Sequence, residues 1–279
     1  MSTALRPDAL DGRVVLVTGG GTNLGRHAAA ACHAAGASVV IAGRRTEVLE
    51  AAVPLVGERC SWVSGDVREP EAARAMVAAA IERHGRLDVL VNNAGGQYFV
   101  PAEDITAKGW AAVQRLNVGG TAAMTEAAAA EDGFGPEGGV VVNVTVSPHH
   151  GMPAMAHTGA ARAAVEALTR ELATRWADRG IAPVAAAIGR FDTASLRKYP
   201  EVVWRSAAVS IPLQRLGTMD EFGELVAMLA SPLGRALSGS VVTLDGGADN
   251  WWGAWPPPAI TVDDEGTVPT EERGPPPSG

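Results

Sequence analysis

Short apolar runs alternate with longer segments of helical composition along most of the chain. Residues 13–18 (RVVLVT) are β-branched and end in glycines, which predicts a strand buried on both faces. An alanine-rich helix over 24–35 follows and stops at Gly36, a natural C-cap. The pattern repeats as a strand over 37–42, a helix over 46–56, a strand over 60–64 and a helix over 70–84 with proline in its first turn. A strand over 87–91 leads into a turn at 92–96, and a long helical stretch then covers 103–130. Strands over 140–145, 181–187 and 240–244 complete the set, with an alanine-rich helix over 156–179 between the first two. Strands separated by helices demand right-handed crossovers. The expected fold class is therefore α/β, a doubly wound, mainly parallel sheet of seven strands.

The 279 residues fit a single domain of this kind over 1–253, with no internal repeat visible. Hydrophobic residues at 47 % and charged ones at 19 % exclude a disordered polyelectrolyte. A net charge of −8 argues against a protein that tracks nucleic-acid phosphates. Cys32 and Cys60 are too few for a disulfide framework and suggest a reducing compartment. With no apolar leader at the N-terminus and no uninterrupted apolar run, a cytoplasmic location and no membrane partner are expected. The tail over 254–279, rich in proline and acid, is expected to be disordered. Trp251, Trp252 and Trp255 stand at its start and are expected to pack on a neighbouring subunit or to cap a cleft.

The turn after the first strand reads Thr18-Gly19-Gly20-Gly21-Thr22-Asn23-Leu24-Gly25. Glycines there let backbone approach a pyrophosphate, and the N-terminus of the next helix offers it unpaired N–H groups. The string GxGxxG is absent. TGxxxGxG fits, with Asn23 in place of its middle glycine, and asparagine tolerates a left-handed backbone. Gly19, Thr22, Asn23, Leu24 and Gly25 are thus candidate cofactor contacts in a Rossmann-type sheet. At the end of the second strand, where an NAD-specific site wants a carboxylate, stand Arg44 and Arg45. Two permanent cations suit a 2′-phosphate, and so NADPH; the plainer alternative is a pair of solvated arginines at a strand end.

TGGGTNLG, Asp66 in GDV, Asn92-Asn93-Ala94-Gly95, Asn117 and Asp245-Gly246-Gly247 occur in an order and spacing that resemble the short-chain dehydrogenase/reductase family, from about residue 12 to residue 250. Two stretches, 92–110 (NNAGGQYFVPAEDITAKGW) and 151–168 (GMPAMAHTGAARAAVEAL), look like its trans-2-enoyl-CoA reductases of peroxisomal type and their 2,4-dienoyl-CoA reductase relatives. The resemblance implies that Asp66 and Val67 hold the adenine and that Asn93, Ala94 and Gly95 line the nicotinamide ribose. It implies that Asn117 sits in a helix kink, and that Gly189 meets the nicotinamide amide although Ile188 replaces the usual proline. A homodimer or homotetramer built through the fourth and fifth helices is implied as well.

The usual catalytic set of that family is serine, tyrosine and lysine. On the resemblance, Arg162 stands where lysine is expected and Thr158, beside His157, where tyrosine belongs. Thirteen residues before Thr158, at the serine position, stands Thr145; the two tyrosines, Tyr98 and Tyr199, lie elsewhere. Hydride delivery to an activated alkene does not need a phenol. The protein must supply a donor near the thioester oxygen and a proton for the α-carbon. Thr145 and Thr158 are candidate donors, and Arg162 would hold the ribose hydroxyls without relaying a proton. His157 or Tyr98 would deliver the proton.

His149, His150 and His157 have no nearby Cys or Asp to complete a zinc site, so no metal is expected. Residues 190–212 are the expected mobile segment that closes over the cofactor. Within it, Arg197 and Lys198 are either phosphate contacts for a carrier arm or ordinary solvated residues. These readings point to an NADPH-dependent reductase of an activated double bond, most simply a trans-2-enoyl thioester. A carbonyl reductase with an unorthodox acid, and a family member that has given up redox chemistry, are the alternatives.

Overall fold

The computed structural model describes residues 5–147, 149, 151–152, 154–194, 196–198 and 201–250, apart from the side chains of 202 and 203. The tail over 254–279 and Trp251, Trp252 and Trp255 lie outside the described residues. Seven strands, β1 (Val14–Thr18), β2 (Ser38–Gly43), β3 (Cys60–Ser64), β4 (Val89–Asn92), β5 (Val140–Val146), β6 (Ala182–Ile188) and β7 (Val241–Leu244), form one sheet in the order β3-β2-β1-β4-β5-β6-β7. Every neighbouring pair is parallel.

Helices α1 (Asn23–Ala34), α2 (Thr46–Val56), α3 (Pro70–His84), α4 (Ala107–Gln114), α5 (Gly120–Ala128), α6 (Ala156–Arg175), α7 (Glu201–Val209), α8 (Met219–Ala230) and α9 (Pro232–Ala236) connect the strands. Strand alternation sends Val15, Val17, Val39 and Ile41 into a core shared with α1 and α8. Leu16, Val40 and Leu90 point the other way, against Met76 of α3 and Met124 of α5. Burial on both faces explains why the strands are runs of valine rather than alternating polar and apolar residues. The chain winds outward from β1 to β3 and returns to β4 on the other flank of β1. The carboxyl ends of β1 and β4 therefore border the crevice in which such sheets bind ligands.

Four details differ from the sequence pattern. The long helix starts at Ala107 because the Thr106 hydroxyl accepts from the Gly109 N–H at 3.0 Å, and its middle widens into a π turn over Arg115–Gly119. The helix over 156–179 ends at Arg175 and tightens into a 3₁₀ turn closed by Gly180 at φ 65°. β4 begins at Val89; just before it the buried Asp88 carboxylate accepts the Val14 N–H at 2.9 Å and Arg86 at 2.6 Å, which adds a side-chain tie to β1.

The fourth difference is that α7, α8 and α9 lie in a stretch where the sequence pattern predicted no helix. For α8 the sign was present. Thr218 and Glu221 form a reciprocal capping box ahead of an apolar run that seats Phe222 edge-on to Phe191. Phe222 is fully buried, so Phe222→Ala is expected to lower the unfolding free energy by about 3–5 kcal/mol in urea titrations.

Candidate active site

Thr18 ends β1 with its hydroxyl donating to the Val91 carbonyl at 3.1 Å and accepting from the N–H groups of Asn93 (3.1 Å) and Ala94 (3.0 Å). The Asn93 amide donates back to the Thr18 carbonyl at 2.9 Å. Strand ends held this close leave no room for side chains in the glycine turn. A Cβ on Gly25 would strike the Gly19 carbonyl and lie 2.5 Å from the Asn93 amide nitrogen. Asn23 adopts φ 42°, the left-handed backbone the motif requires at that point. Thr22 is extended and its side chain caps nothing, which leaves the first-turn N–H groups of α1 open to an anion. The side chain of Asn93 thus holds the turn.

Arg44 and Arg45, at the carboxyl end of β2, are both exposed, and neither forms an ion pair with the described residues. Asp66 is clamped by Arg68, whose Nε and Nη2 donate to it at 2.9 and 2.5 Å. That pairing, with Arg44 adding to it, holds the Asp66 carboxyl down to about 2. Val67 is buried and packs on Gly120 of α5, where an added Cβ would lie 2.7 Å from its Cγ2.

At the other end of the crevice, Asn117 lies inside the π turn and is fully buried. Its amide donates to the carbonyls of Gly96 and Val113, both at 2.9 Å, and its oxygen accepts the Gly96 N–H at 3.2 Å. A Cβ on Gly95 would lie 2.5 Å from Nη2 of Arg162 and 2.8 Å from Oδ1 of Asn117, so these three residues meet at one point. The guanidinium of Arg162 is buried. Its Nη1 donates to the Val144 carbonyl at 2.8 Å, its Nε has no partner, and burial lowers its pKa to about 10. Among the described residues no carboxylate pairs with it.

The inner face of α6 forms a polar seam with β5. Asn143 donates to Thr169 at 3.0 Å, and the Thr145 hydroxyl donates to Glu166 at 2.8 Å. Thr145 is fully buried and engaged with Glu166, which turns it away from the donor role expected of it. His157 is also fully buried, edge-on to Tyr98 with ring centroids 4.5 Å apart and both ring nitrogens unpartnered. In this arrangement the ring is sealed from solvent and faces Tyr98. Thr158 keeps a buried hydroxyl without a partner, and Tyr98 remains half-exposed with its own hydroxyl over Gly109. An open apolar hollow of about 570 Å³ lies between α4 and the start of α6, lined by Ala102, Ile105, Ala107, Trp110 and Ala156.

Gly189 follows β6 and packs against Asp245, 2.6 Å from where a Cβ would stand. Asp245 in turn accepts the Ser147 hydroxyl and the N–H groups of Gly247 (2.9 Å) and Asp249 (2.7 Å). Arg197 is held by Asp192 through two 2.6 Å hydrogen bonds and lies 4.0 Å over the Trp204 ring, so it is no free phosphate ligand. His150 and Tyr199 lie outside the described residues. Sequence reasoning missed Glu166, and it read His149 only as a possible metal ligand. The one available signal was that Glu166 follows Arg162 by one helical turn and so shares its buried face.

A dinucleotide crevice at the strand switch point, with a buried cation on the helix facing β5, marks a nucleotide-dependent oxidoreductase. The chain belongs to the short-chain dehydrogenase/reductase family: residues 20–249 match a family model described as enoyl-(acyl carrier protein) reductase. It is 36 % identical over 250 residues to a peroxisomal 2,4-dienoyl-CoA reductase [(3E)-enoyl-CoA-producing] of Pongo abelii, covering 87 % of this chain and 85 % of that protein. It is 34 % identical over 255 residues to a Bacillus subtilis protein named "Probable 2,4-dienoyl-CoA reductase [(2E)-enoyl-CoA-producing]", covering 88 % of this chain and all of that one. A citronellol catabolism dehydrogenase of Pseudomonas aeruginosa superposes with a TM-score of 0.78 at 33 % identity, over 89 % of this chain and 100 % of that one. No helix among the described residues is long and apolar enough to cross a membrane.

The family implies a nicotinamide cofactor, and the residues present fit one: unpaired α1 amides, a side-chain-free turn and a buried guanidinium with an unused N–H. Gly95→Ala, which would push Arg162 and Asn117 apart, is expected to weaken nicotinamide nucleotide binding at least about tenfold in calorimetric titrations with the circular dichroism spectrum unchanged.

Proposed function

We propose that the protein is an NADPH-dependent reductase of a carbon–carbon double bond conjugated to a thioester, either a trans-2-enoyl or a 2,4-dienoyl thioester. The observation that carries this reading is Arg162, a buried cation with a free N–H and no carboxylate partner, beside Gly95 and Asn117. Arg44 and Arg45, exposed and without an ion pair among the described residues, support a 2′-phosphate at the adenine end. Gly19, Thr22, Asn23, Leu24 and Gly25 would hold the pyrophosphate. Asp66 and Val67 would meet the adenine, and Ala94, Gly95 and Gly189 the nicotinamide side. When bound, the reduced nicotinamide supplies hydride to the alkene carbon remote from the carbonyl.

Negative charge then gathers on the thioester oxygen. Arg162 and the unpartnered Thr158 hydroxyl are the chain's groups suited to stabilise it. Thr158 is a poor replacement for a phenol as an acid, which disfavours ketone reduction. An enolate needs charge stabilisation first and takes its proton on carbon. That proton is assigned to solvent reached past Tyr98, because His157 is sealed off. The apolar hollow beside Trp110 suits an acyl chain.

The test is NADPH consumption with crotonyl-CoA-type and 2,4-dienoyl-CoA substrates. Arg162→Ala is expected to lower kcat/KM by about 10²-fold or more, while Arg162→Lys keeps most of it. Arg44→Ala is expected to weaken NADPH binding about tenfold and leave NADH binding unchanged. Wild-type turnover in Arg162→Ala would sink the site assignment.

A further inference from the structure

We infer that His149 is a positioning residue: as an imidazolium held between Asp249 and Glu166, it latches the loop between β5 and α6 to the turn after β7. The inference rests on the reductase reading of the site, because that loop leads into the first turn of α6, where His157 and Thr158 lie on the substrate side. The Nδ1 of His149 makes a short contact with Oδ2 of Asp249, and Nε2 lies 2.9 Å from Oε1 of Glu166. The backbone N–H of His149 donates to the other Asp249 oxygen at 2.6 Å. Carboxylates only accept, so a ring that donates from both nitrogens carries a second proton.

The surroundings fit a held charge. The Glu166 side chain is 6 % exposed, Asp249 20 % and His149 35 %, so the counter-ions are sheltered while the ring edge still reaches water. The same Glu166 oxygen accepts from Thr145 at 2.8 Å, and Arg170 lies 3.8 Å from its partner oxygen. Among the described residues, the charged groups facing the latch are thus Glu166 and Arg170 from α6, and Asp249 and Asp245 from the turn after β7. Asp245 braces that turn through the Ser147 hydroxyl and the Asp249 N–H, and it packs on Gly189. The latch therefore ties the ends of β5, β6 and β7 to the middle of α6.

Burial opposes the charge on His149, but the two carboxylates outweigh it and raise the imidazole pKa. A group whose folded pKa is raised contributes fully below its unfolded value, and the contribution is lost as pH rises through the folded one. The latch is closed in acid and opens as pH climbs past the raised value. Opening frees the loop ahead of α6 and leaves the adenine end untouched.

The experiment combines histidine Cε1–H NMR titration of the free protein with kinetics across pH, using NADPH and a 2,4-dienoyl-CoA, for wild type, His149→Gln and Asp249→Asn. The expected result is a His149 resonance titrating above the ordinary imidazole value and moving down in Asp249→Asn. In His149→Gln the thioester KM rises about tenfold, with kcat and NADPH affinity little changed. The alkaline rise in KM seen for wild type is then absent. A resonance at or below the ordinary value, or a His149→Gln KM equal to wild type at every pH, overturns the latch. If no thioester is turned over, the reductase reading fails and the NMR titration alone decides the latch.

Discussion

Thr18 has one hydroxyl hydrogen and two lone-pair directions, and the end of β4 with the two residues after it occupies all three. That saturation sets how closely β1 and β4 approach at their carboxyl ends, where the order of the sheet reverses. The rest of the crevice follows from it. Asn93 must turn its amide inward to close the gap at the Thr18 carbonyl, and Gly19 and Gly25 must lack side chains because that amide fills the space. Gly19, with φ 65°, also supplies a backbone that few other residues adopt, so spacing and conformation select the same residue type. The empty floor of the nucleotide turn is thus a consequence of two strands pinned together by polar groups.

Along α6 the buried polar groups divide into two sets. Towards the C-terminal half, Thr169 and Glu166 are satisfied by Asn143 and Thr145 of β5. Towards the N-terminal half, His157, Thr158 and the Nε of Arg162 are buried and unpaired. A buried polar group left without a partner costs about 1–3 kcal/mol, so a cluster of three on two turns of one helix is a concentrated penalty. The start of α6 also lacks a side-chain cap. Folding alone gives no reason to leave the Thr158 hydroxyl and the Arg162 Nε unpaired in one place; a ligand that supplies their missing partners does.

The fold was largely legible because β-branched runs bounded by glycine admit few readings, and β3, α2 and α3 match their predicted limits. What escaped was set by tertiary contact. The π turn at Arg115–Gly119 has an ordinary helical composition, and only the seating of Asn117 against Gly96 reveals it. α8 escaped although its Thr-x-x-Glu start was readable. In the site, motif spacing located Arg162, Asn117 and Gly95, which the fold brings together. Spacing could not say which way side chains turn. Thr145 and His157 were placed on the right elements, yet one faces Glu166 and the other Tyr98. The partners of His149 come from α6 and from the turn after β7, about 100 residues apart in sequence from loop to turn, and no local pattern joins them.

Arg162 and Glu166 stand one turn apart on the same buried face, a spacing at which opposite charges on a helix usually meet. Here they do not. The arginine turns to the Val144 carbonyl, and the glutamate turns to Thr145 and His149. The order explains part of this, since an acidic residue placed after its basic partner is the weaker arrangement. The outcome matters more than the cause. Had the two paired, the positive charge would be cancelled within the protein and this end of the crevice would be electrically neutral. With Glu166 engaged by Thr145, His149 and Arg170, the charge of Arg162 stays uncompensated among the described residues. An uncompensated cation in a low-dielectric site is what stabilises charge that appears only as a reaction proceeds. On this view the histidine on the loop and the arginine on the helix are coupled without touching: the first occupies the carboxylate that would otherwise silence the second.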